Sequence, residues 1–256
     1  MPTKIAKIKR TSVIALPSLF TVGNMAFGFF SILNSFHGNF LKAGWFILGA
    51  MVLDMLDGRI ARMLKAESSF GVEMDSLADF LSFSIAPAIL MYFFALKSYP
   101  YGAMIAFIYT LFGALRLAKF NVLAHSGNMS KIHFSGLPTP AGAGILASFA
   151  ISYTLLQMGA DKHTIKWLAN YMPTIYNVIA LVMLLLSVLM VSNIKYAAFK
   201  GKSLLKPRNI RDLVFLIILV FVLIKYPQDI IFLVFCIYVI VGIIAIFYRI
   251  FRKMDK

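Results

Sequence analysis

The segment at residues 54–80 reads DMLDGRIARMLKAESSFGVEMDSLADF and carries four aspartates in a chain that is otherwise strongly apolar. The whole protein has 256 residues but only ten acidic side chains, so this segment concentrates the negative charge. Charged side chains inside a membrane are costly, and where they occur they generally mark a functional site. This segment therefore guides the prediction of both the fold and the chemistry.

The composition excludes an ordinary soluble domain. Hydrophobic residues make up 61% of the chain, charged residues make up 14%, and the mean hydropathy is +0.85. A water-facing surface would lack polar cover, and several apolar runs approach the roughly 20 residues that cross a bilayer. We therefore predict an all-α polytopic membrane protein without a cleavable leader. The single cysteine, Cys236, excludes disulfides and thiolate metal sites.

Hydrophobic periodicity predicts about eight transmembrane helices in one domain, 1–256. Their expected bounds are 14–35, 43–63, 73–96, 101–121, 138–158, 172–192, 211–225 and 229–250. Basic residues precede the first helix and fill alternate loops, which by the positive-inside rule places both termini in the cytoplasm. The net charge of +15 therefore reflects topology and attraction to anionic membrane lipids, and no nucleic-acid binding is expected.

Helical spacing groups the four aspartates into two pairs. Asp54 and Asp57 lie three residues apart and Asp75 and Asp79 lie four apart, so each pair shares a helix face. The short connection KAESSFG turns the two helices antiparallel and brings both pairs to one depth. Four carboxylates that close cannot all ionise unless a cation lies between them. Mg²⁺ and Mn²⁺ prefer oxygen ligands of this kind and commonly act in pairs on phosphate groups.

Other interpretations of these carboxylates stay open. Arg59 and Arg62 offer cationic partners to one or two purely structural acids. A divalent-cation channel or carrier also uses membrane carboxylates, but a pathway requires polar residues along several helices, and the other helices are nearly apolar at their centres. The small residues Gly58 and Ala61 continue the aspartate face and leave space for a ligand or for a neighbouring helix.

The complete pattern resembles the signature of the CDP-alcohol phosphotransferase family, D-x2-D-G-x2-A-R-x8-G-x3-D-x3-D. The matching positions are Asp54, Asp57, Gly58, Ala61, Arg62, Gly71, Asp75 and Asp79. The resemblance implies transfer of a phosphatidyl-type group from a CDP-linked lipid to an alcohol, with release of CMP. It also implies two divalent metal ions, Mg²⁺ or Mn²⁺, held by the four aspartates, with Asp79 as general base, and a homodimer.

The same resemblance implies where a CDP-diacylglycerol-type lipid binds. Its contacts fall on Asp57, Gly58, Ala61, Arg62, Ser68 and Gly71. Residues 1–192 correspond to a six-helix family core, and residues 193–256 add a basic loop and two further helices. The lipid tails would meet generic apolar helix faces, so the diacyl-ester and archaeal ether forms stay equally open.

Four stretches resemble the phosphatidylserine synthase branch of the family. They are LPSLFTVGNMAFGFFSI (16–32), DSLADFLSFSIAPA (75–88), ALRLAKFNV (114–122) and FSGLPTPAG (134–142). This implies L-serine as the acceptor and a multi-pass enzyme of the cell membrane whose active site faces the cytoplasm. Glycerol 3-phosphate and inositol phosphate remain alternative acceptors, and a divalent-cation transporter is the alternative from another class.

Serine is a zwitterion, so its carboxylate requires a cation in the acceptor site. Arg116, at the cytoplasmic end of the fourth predicted helix, offers a bidentate pair. Lys119 and Lys131 are the other acceptor-binding candidates. All three residues equally fit the positive-inside rule as topology residues that meet the lipid headgroups.

Overall fold

The computed structural model describes residues 4–64, 69–125, 133–159, 164–197, 222 and 225–254. These residues are helical almost throughout, which confirms the predicted class. The helices are α1 (Lys4–Phe36), α2 (Phe40–Leu64), α3 (Ser69–Phe80), α4 (Ala86–Met91), α5 (Gly102–His125), α6 (Thr139–Gln157), α7 (Lys166–Asn177), α8 (Ile179–Val191) and α9 (Pro227–Met254). The helix predicted at 211–225 lies outside the described residues except for residues 222 and 225.

Helices α1 and α2 form an antiparallel hairpin that carries one half of the predicted site. The turn passes through Gly38, whose φ of +73° lies in the left-handed region that glycine adopts without strain. The Ser31 hydroxyl donates to the carbonyl oxygen of Ala43 at 2.9 Å. The missing side chain at Gly49 makes room for the ring of Phe27. This packing holds α1 beside the aspartates of α2.

One helical run carries the other half of the predicted site. After α3 the backbone makes a π turn at Leu81–Ile85, continues as α4, and makes a second π turn at Tyr92–Leu96. A π turn places an extra residue in the helical turn, and such turns often lie beside functional sites. The first of them begins two residues after Asp79.

Two glycines let neighbouring helices approach this first π turn. A side chain at Gly28 of α1 would collide with Ser82, and a side chain at Gly113 of α5 would collide with Ser84. Small residues permit this kind of close backbone approach in helix packing within membranes. Helices α1 and α5 are therefore both in contact with the segment that directly follows Asp79.

Helix α6 lies at the centre of the bundle, with 78% of its span buried. It runs antiparallel to α2, because a side chain at Gly44 would meet Ile151 while one at Gly144 would lie 3.3 Å from the methyl group of Met51. Pro138 precedes the helix with an extended backbone, which is a favourable way to begin it. The start of α6 consequently lies at the same end of the bundle as the aspartates of α2.

Five segments are long and apolar enough to cross a membrane, judged by length and composition over the described residues. They are Leu19–Phe36, Phe70–Leu96, Gly102–Leu123, Thr139–Gln157 and Pro227–Ala245. Helices α7 and α8 together supply a sixth, although they bend by 84° at their junction. The result is a multi-pass helical architecture, whereas eight spans and two cytoplasmic termini stay predictions.

The prediction of one continuous helix at 172–192 is wrong. The chain breaks at Val178, and α8 has only 13 residues, a length of about 20 Å, less than the roughly 30 Å of a bilayer core. Helix α7 exposes Trp167 and Tyr171, aromatic residues of the type that favours the membrane–water boundary. Hydropathy along a sequence records apolarity but not direction, and so it missed the bend. Helix α1 begins at Lys4, before residue 14, where the first membrane helix was predicted to start, and its candidate membrane span begins at Leu19.

A two-stranded antiparallel ribbon, which the sequence analysis did not anticipate, joins the start of α6 to the end of α8. Strand β1 (His133–Ser135) pairs with β2 (Lys195–Ala197), and Phe134 lies opposite Tyr196. Gly136 then turns with a φ of +84° and donates its N–H to the carbonyl oxygen of Ile194 at 2.9 Å. A side chain at Gly136 would meet the backbone of Met190, so only glycine fits there.

A buried aspartate anchors the beginning of α9. Asp229 is fully buried and accepts hydrogen bonds from the Ser152 hydroxyl at 2.6 Å and from the backbone N–H of Ile165 at 2.7 Å. These bonds tie α9 to the last turns of α6 and to the start of α7. Since α2 and α6 are antiparallel, this anchor lies at the opposite end of the bundle from the aspartates of α2.

Candidate active site

Three of the four predicted aspartates converge. One carboxylate oxygen from each of Asp54, Asp75 and Asp79 lies within 4.8 Å of the others. Asp54 comes from α2 and the other two come from α3, so these two helices bring members of both predicted pairs together. Such a cluster of hard oxygen donors matches the preference of Mg²⁺ and Mn²⁺.

The fourth aspartate lies beside the cluster and turns one oxygen towards α1. Asp57 is 6% exposed, and its Oδ2 accepts a hydrogen bond from the Thr21 hydroxyl. It interacts electrostatically with Asp75. The structure thus groups three aspartates as mutual neighbours and keeps the fourth next to them.

The cluster contains oxygen atoms that lack a hydrogen-bond donor. Oδ1 of Asp57 and Oδ1 of Asp75 are buried and have no hydrogen-bond partner among the described residues. Asp79 also experiences the negative charge of both Asp54 and Asp75. Buried polar atoms are rarely left without a partner, and like charges this close repel one another. The donor set therefore fits a bound divalent cation.

Helix α1 supplies two polar side chains that the sequence analysis missed. The Asn24 amide, which is fully buried, donates to Oδ1 of Asp79 at 3.2 Å, and its backbone carbonyl accepts from Ser82 at 2.9 Å. Thr21 holds Asp57 in the same way. The available signal was that Thr21 and Asn24 lie three residues apart on one face of an apolar helix.

Arg116 of α5 lies close to the same group. It is 7% exposed, its guanidinium lies 5.3 Å from the ring centroid of Phe120, and it interacts electrostatically with Asp79 and with Tyr238 of α9. Its Nε has no hydrogen-bond partner among the described residues. Arg116 is thus within electrostatic range of Asp79, and its part in acceptor binding stays a prediction.

The structure says less about the other two candidates for acceptor binding, Lys119 and Lys131. Lys119 donates to Oδ1 of Asn193 at 2.7 Å and lies 3.5 Å from the carbonyl oxygen of Val191, so it binds the carboxyl end of α8, a favourable place for a cation. Lys131 lies outside the described residues. For both residues a part in acceptor binding stays a prediction.

The predicted CDP-lipid contacts are only partly described. Gly58 follows Asp57 on α2, and Gly71 lies in the first turn of α3. Ser68 and the side chains of Ala61 and Arg62 lie outside the described residues. The lipid-binding role of the whole group stays a prediction, as does the homodimer.

Comparison with known proteins gives consistent matches. Residues 14–189 match the sequence model of CDP-alcohol phosphatidyltransferases. A Helicobacter pylori protein named CDP-diacylglycerol–serine O-phosphatidyltransferase is 33% identical over 190 residues, 72% of each chain. A Bacillus subtilis protein of the same name is 34% identical over 189 residues, 72% of this chain and 91% of its own. An archaetidylserine synthase of Methanothermobacter thermautotrophicus is 35% identical over 195 residues, 75% of this chain and 74% of its own.

Proposed function

The chain belongs to the CDP-alcohol phosphatidyltransferase family, and from this premise we propose that it transfers a phosphatidyl-type group from a CDP-linked lipid to the hydroxyl of L-serine. The products are CMP and phosphatidylserine, or archaetidylserine where the lipid is ether-linked. The observation that carries the proposal is the convergence of Asp54, Asp75 and Asp79 at the family signature. The names of the relatives support serine as the acceptor.

The four aspartates are the proposed holders of two divalent cations. The oxygens of Asp57 and Asp75 that lack a hydrogen-bond donor support this assignment, because a bound cation would give these buried atoms a favourable partner. When bound, Mg²⁺ or Mn²⁺ neutralises the diphosphate of the CDP-lipid and stabilises the departing CMP. Thr21 and Asn24 orient two of the carboxylates from outside, as supporting residues around a metal commonly do.

Asp79 is the proposed general base. A serine hydroxyl is a poor nucleophile at neutral pH, and a carboxylate within hydrogen-bond reach activates it by accepting its proton as the oxygen attacks phosphorus. The hydrogen bond from Asn24 holds one oxygen of Asp79 and leaves the other for this task. Asp79 also interacts electrostatically with the positive charge of Arg116.

Arg116 is the proposed partner of the serine carboxylate. A guanidinium presents donors in a planar fork that matches a carboxylate, whereas the ammonium of lysine does not. Its electrostatic interaction with Asp79 supports this role, because a serine bound through its carboxylate would hold its hydroxyl towards the base.

We propose that the CDP-lipid binds to Asp57, Gly58, Ala61, Arg62, Ser68 and Gly71. Gly58 and Ala61 carry too little side chain to obstruct a flat cytosine, and Arg62 follows them with a charge suited to phosphate. We further propose that this end of the bundle faces the cytoplasm of a multi-pass protein of the cell membrane, and that the protein is a homodimer.

The decisive experiment identifies the lipid product. Purified protein in detergent is incubated with CDP-diacylglycerol or CDP-archaeol, Mn²⁺, and L-serine, glycerol 3-phosphate or inositol phosphate in separate reactions. We expect CMP release only with serine, and a phosphatidylserine or archaetidylserine product by mass spectrometry. A phosphatidylglycerol phosphate or inositol product would retain the family chemistry and refute the acceptor.

A further inference from the structure

The buried face of α1 carries the polar side chains of Thr21, Asn24, Ser31 and Ser35. Each of the three hydroxyl groups donates a hydrogen bond to an oxygen atom of the protein. Asn24 differs, because its carbonyl oxygen Oδ1 is buried and has no hydrogen-bond partner among the described residues. Buried polar atoms are rarely left without a partner, so this oxygen points to a ligand that donates a hydrogen bond to it.

The amide group of Asn24 has a fixed orientation. Its Nδ2 donates to Oδ1 of Asp79 at 3.2 Å, and an ionised carboxylate only accepts hydrogen bonds, so the carbonyl end of the amide is the end turned away from Asp79. The backbone is held as well, because the Ser82 hydroxyl donates to the carbonyl oxygen of Asn24 at 2.9 Å, and Gly28, one turn later, leaves space for Ser82. The acceptor atom without a donor therefore lies one amide group away from the proposed general base.

The chemistry of the two substrates decides what fits this oxygen. A carbonyl oxygen requires a donor, whereas the phosphate oxygens of the CDP-lipid are acceptors. The donors of the cytidine belong to another part of the site, since the nucleotide is proposed to lie against Gly58 and Ala61 of α2. The ammonium group of serine carries three N–H donors, and it is bonded to the carbon atom next to the one that bears the hydroxyl. A serine hydroxyl at Asp79 consequently brings the ammonium group within reach of a residue beside Asp79.

We propose that Oδ1 of Asn24 accepts a hydrogen bond from the ammonium group of the acceptor, and that this bond selects an amino alcohol over other alcohols. The inference rests on the proposed function, because it takes serine as the acceptor and Asp79 as the base. Arg116 and Asn24 then have separate tasks, since the first binds the carboxylate of serine and the second binds its ammonium group. A hydrogen bond with an ionised partner is stronger than one between neutral groups, which suits it to substrate selection.

An acceptor that lacks only the ammonium group tests the proposal. 3-Hydroxypropanoate keeps the hydroxyl and the carboxylate of serine on the same carbon skeleton. Purified protein with saturating CDP-diacylglycerol and Mn²⁺ gives kcat/KM for each of the two acceptors. In the wild type we expect kcat/KM for serine to exceed that for 3-hydroxypropanoate by roughly a hundredfold, the upper range for a hydrogen bond to a charged group. In Asn24→Ala this preference should fall by roughly tenfold or more.

Thr21→Val is the matched control, because Thr21 lies on the same face of α1 and donates to a different aspartate, Asp57. Loss of carboxylate orientation slows the attack of both acceptors alike, so Thr21→Val should lower both rates and keep the preference for serine. Asn24→Ser retains a polar side chain if Asn24→Ala fails to fold. Its shorter hydroxyl cannot join the base to the acceptor, so the preference should fall there too. Thermal midpoints in detergent are measured for every variant.

The preference for serine separates acceptor binding from the other roles of Asn24. An unchanged preference in the Asn24 variants would overturn the proposal, since a residue that only orients Asp79, or that binds a metal ion, affects the two acceptors equally. An equal loss of preference in Thr21→Val would overturn it, as would a wild type that uses both acceptors equally well. Wild-type protein that makes no serine lipid would instead refute the proposed function, before any variant is compared.

Discussion

Asp75 and Asp229 are both carboxylates inside an apolar helical bundle, and their surroundings differ. Asp229 is fully buried, and each of its two oxygens accepts a hydrogen bond, one from Ser152 and one from the N–H of Ile165. Asp75 has a buried oxygen without a hydrogen-bond partner among the described residues, and it lies against two further aspartates. Full hydrogen bonding indicates a structural acid, whereas buried acceptors without donors among like charges indicate a cation-binding site.

The largest effect should come from removing a cluster carboxylate. Asp75→Asn should lower the rate of CMP release by more than the roughly hundredfold expected for a residue that only supports a ligand. Mn²⁺ at a hundred times its dissociation constant should stabilise the wild-type protein by about 2.7 kcal/mol, and this protection should vanish in Asp75→Asn. Asp229→Asn serves as the control and should retain it. Equal protection of all three proteins would remove the distinction between the two aspartates.

The second effect falls on stability. Asp229→Ala leaves the Ile165 N–H and the Ser152 hydroxyl without their acceptor, and it should lower the free energy of unfolding by about 2–3 kcal/mol. Ser152→Ala removes only one donor and should cost about 1 kcal/mol. Denaturant unfolding in mixed micelles measures both. If Asp229→Ala were as stable as wild type, hydrogen-bond satisfaction would be a poor guide to structural acids in this bundle.

The third effect concerns the hydrogen bond through which Asn24 of α1 orients Asp79. Asn24→Ala removes the donor to Asp79 and should reduce kcat by roughly tenfold, the lower end for residues that orient a metal ligand. Ser31→Ala, on the same helix, removes a hydrogen bond to Ala43 and should change stability but not kcat. Steady-state kinetics at saturating substrates compare the two. A normal kcat in Asn24→Ala would show that Asp79 needs no orientation from α1.

The smallest effect concerns packing at the π turn. Gly28→Ala pushes a methyl group against Ser82, including its backbone Cα at 3.0 Å, and should cost about 1–2 kcal/mol of unfolding free energy. Gly23→Ala meets only the flexible end of Leu53 at 3.1 Å and should cost less. Adding Ser82→Ala should recover part of the loss in Gly28→Ala. Identical stabilities for the two glycine variants would contradict the proposed close approach.

The regular spacing of residues along helices predicted those features of the site that depend on regular helix geometry. Positions three and four apart on helices, joined by a short connection, were sufficient to bring Asp54, Asp75 and Asp79 together. The hydrogen bond between Asn24 and Asp79 joins residues 55 positions apart, and no local pattern encodes such a pairing.

The lack of any local pattern for long-range contacts also explains the other differences between the predicted and the observed structure. The break at Val178 and the β1–β2 ribbon depend on tertiary packing, which overrides the local preference of short segments. The sequence showed Asp229 only as the first residue of the last predicted helix, because its donors are distant in sequence, on α6 and at the start of α7. Long-range partners become visible only when the helices have been placed.

The π turn at Leu81–Ile85 also determines how far α4 is rotated about the helix axis relative to α3. Each residue of an α-helix turns by about 100°, so the extra residue of a π turn rotates everything after it by about that angle. The face that presents Asp75 and Asp79 is therefore rotated relative to the faces that pack α4 into the bundle. Shortening the turn by one residue would leave the composition, the hydropathy and the aspartate spacing almost unchanged, yet it would rotate the carboxylates relative to the rest of the bundle.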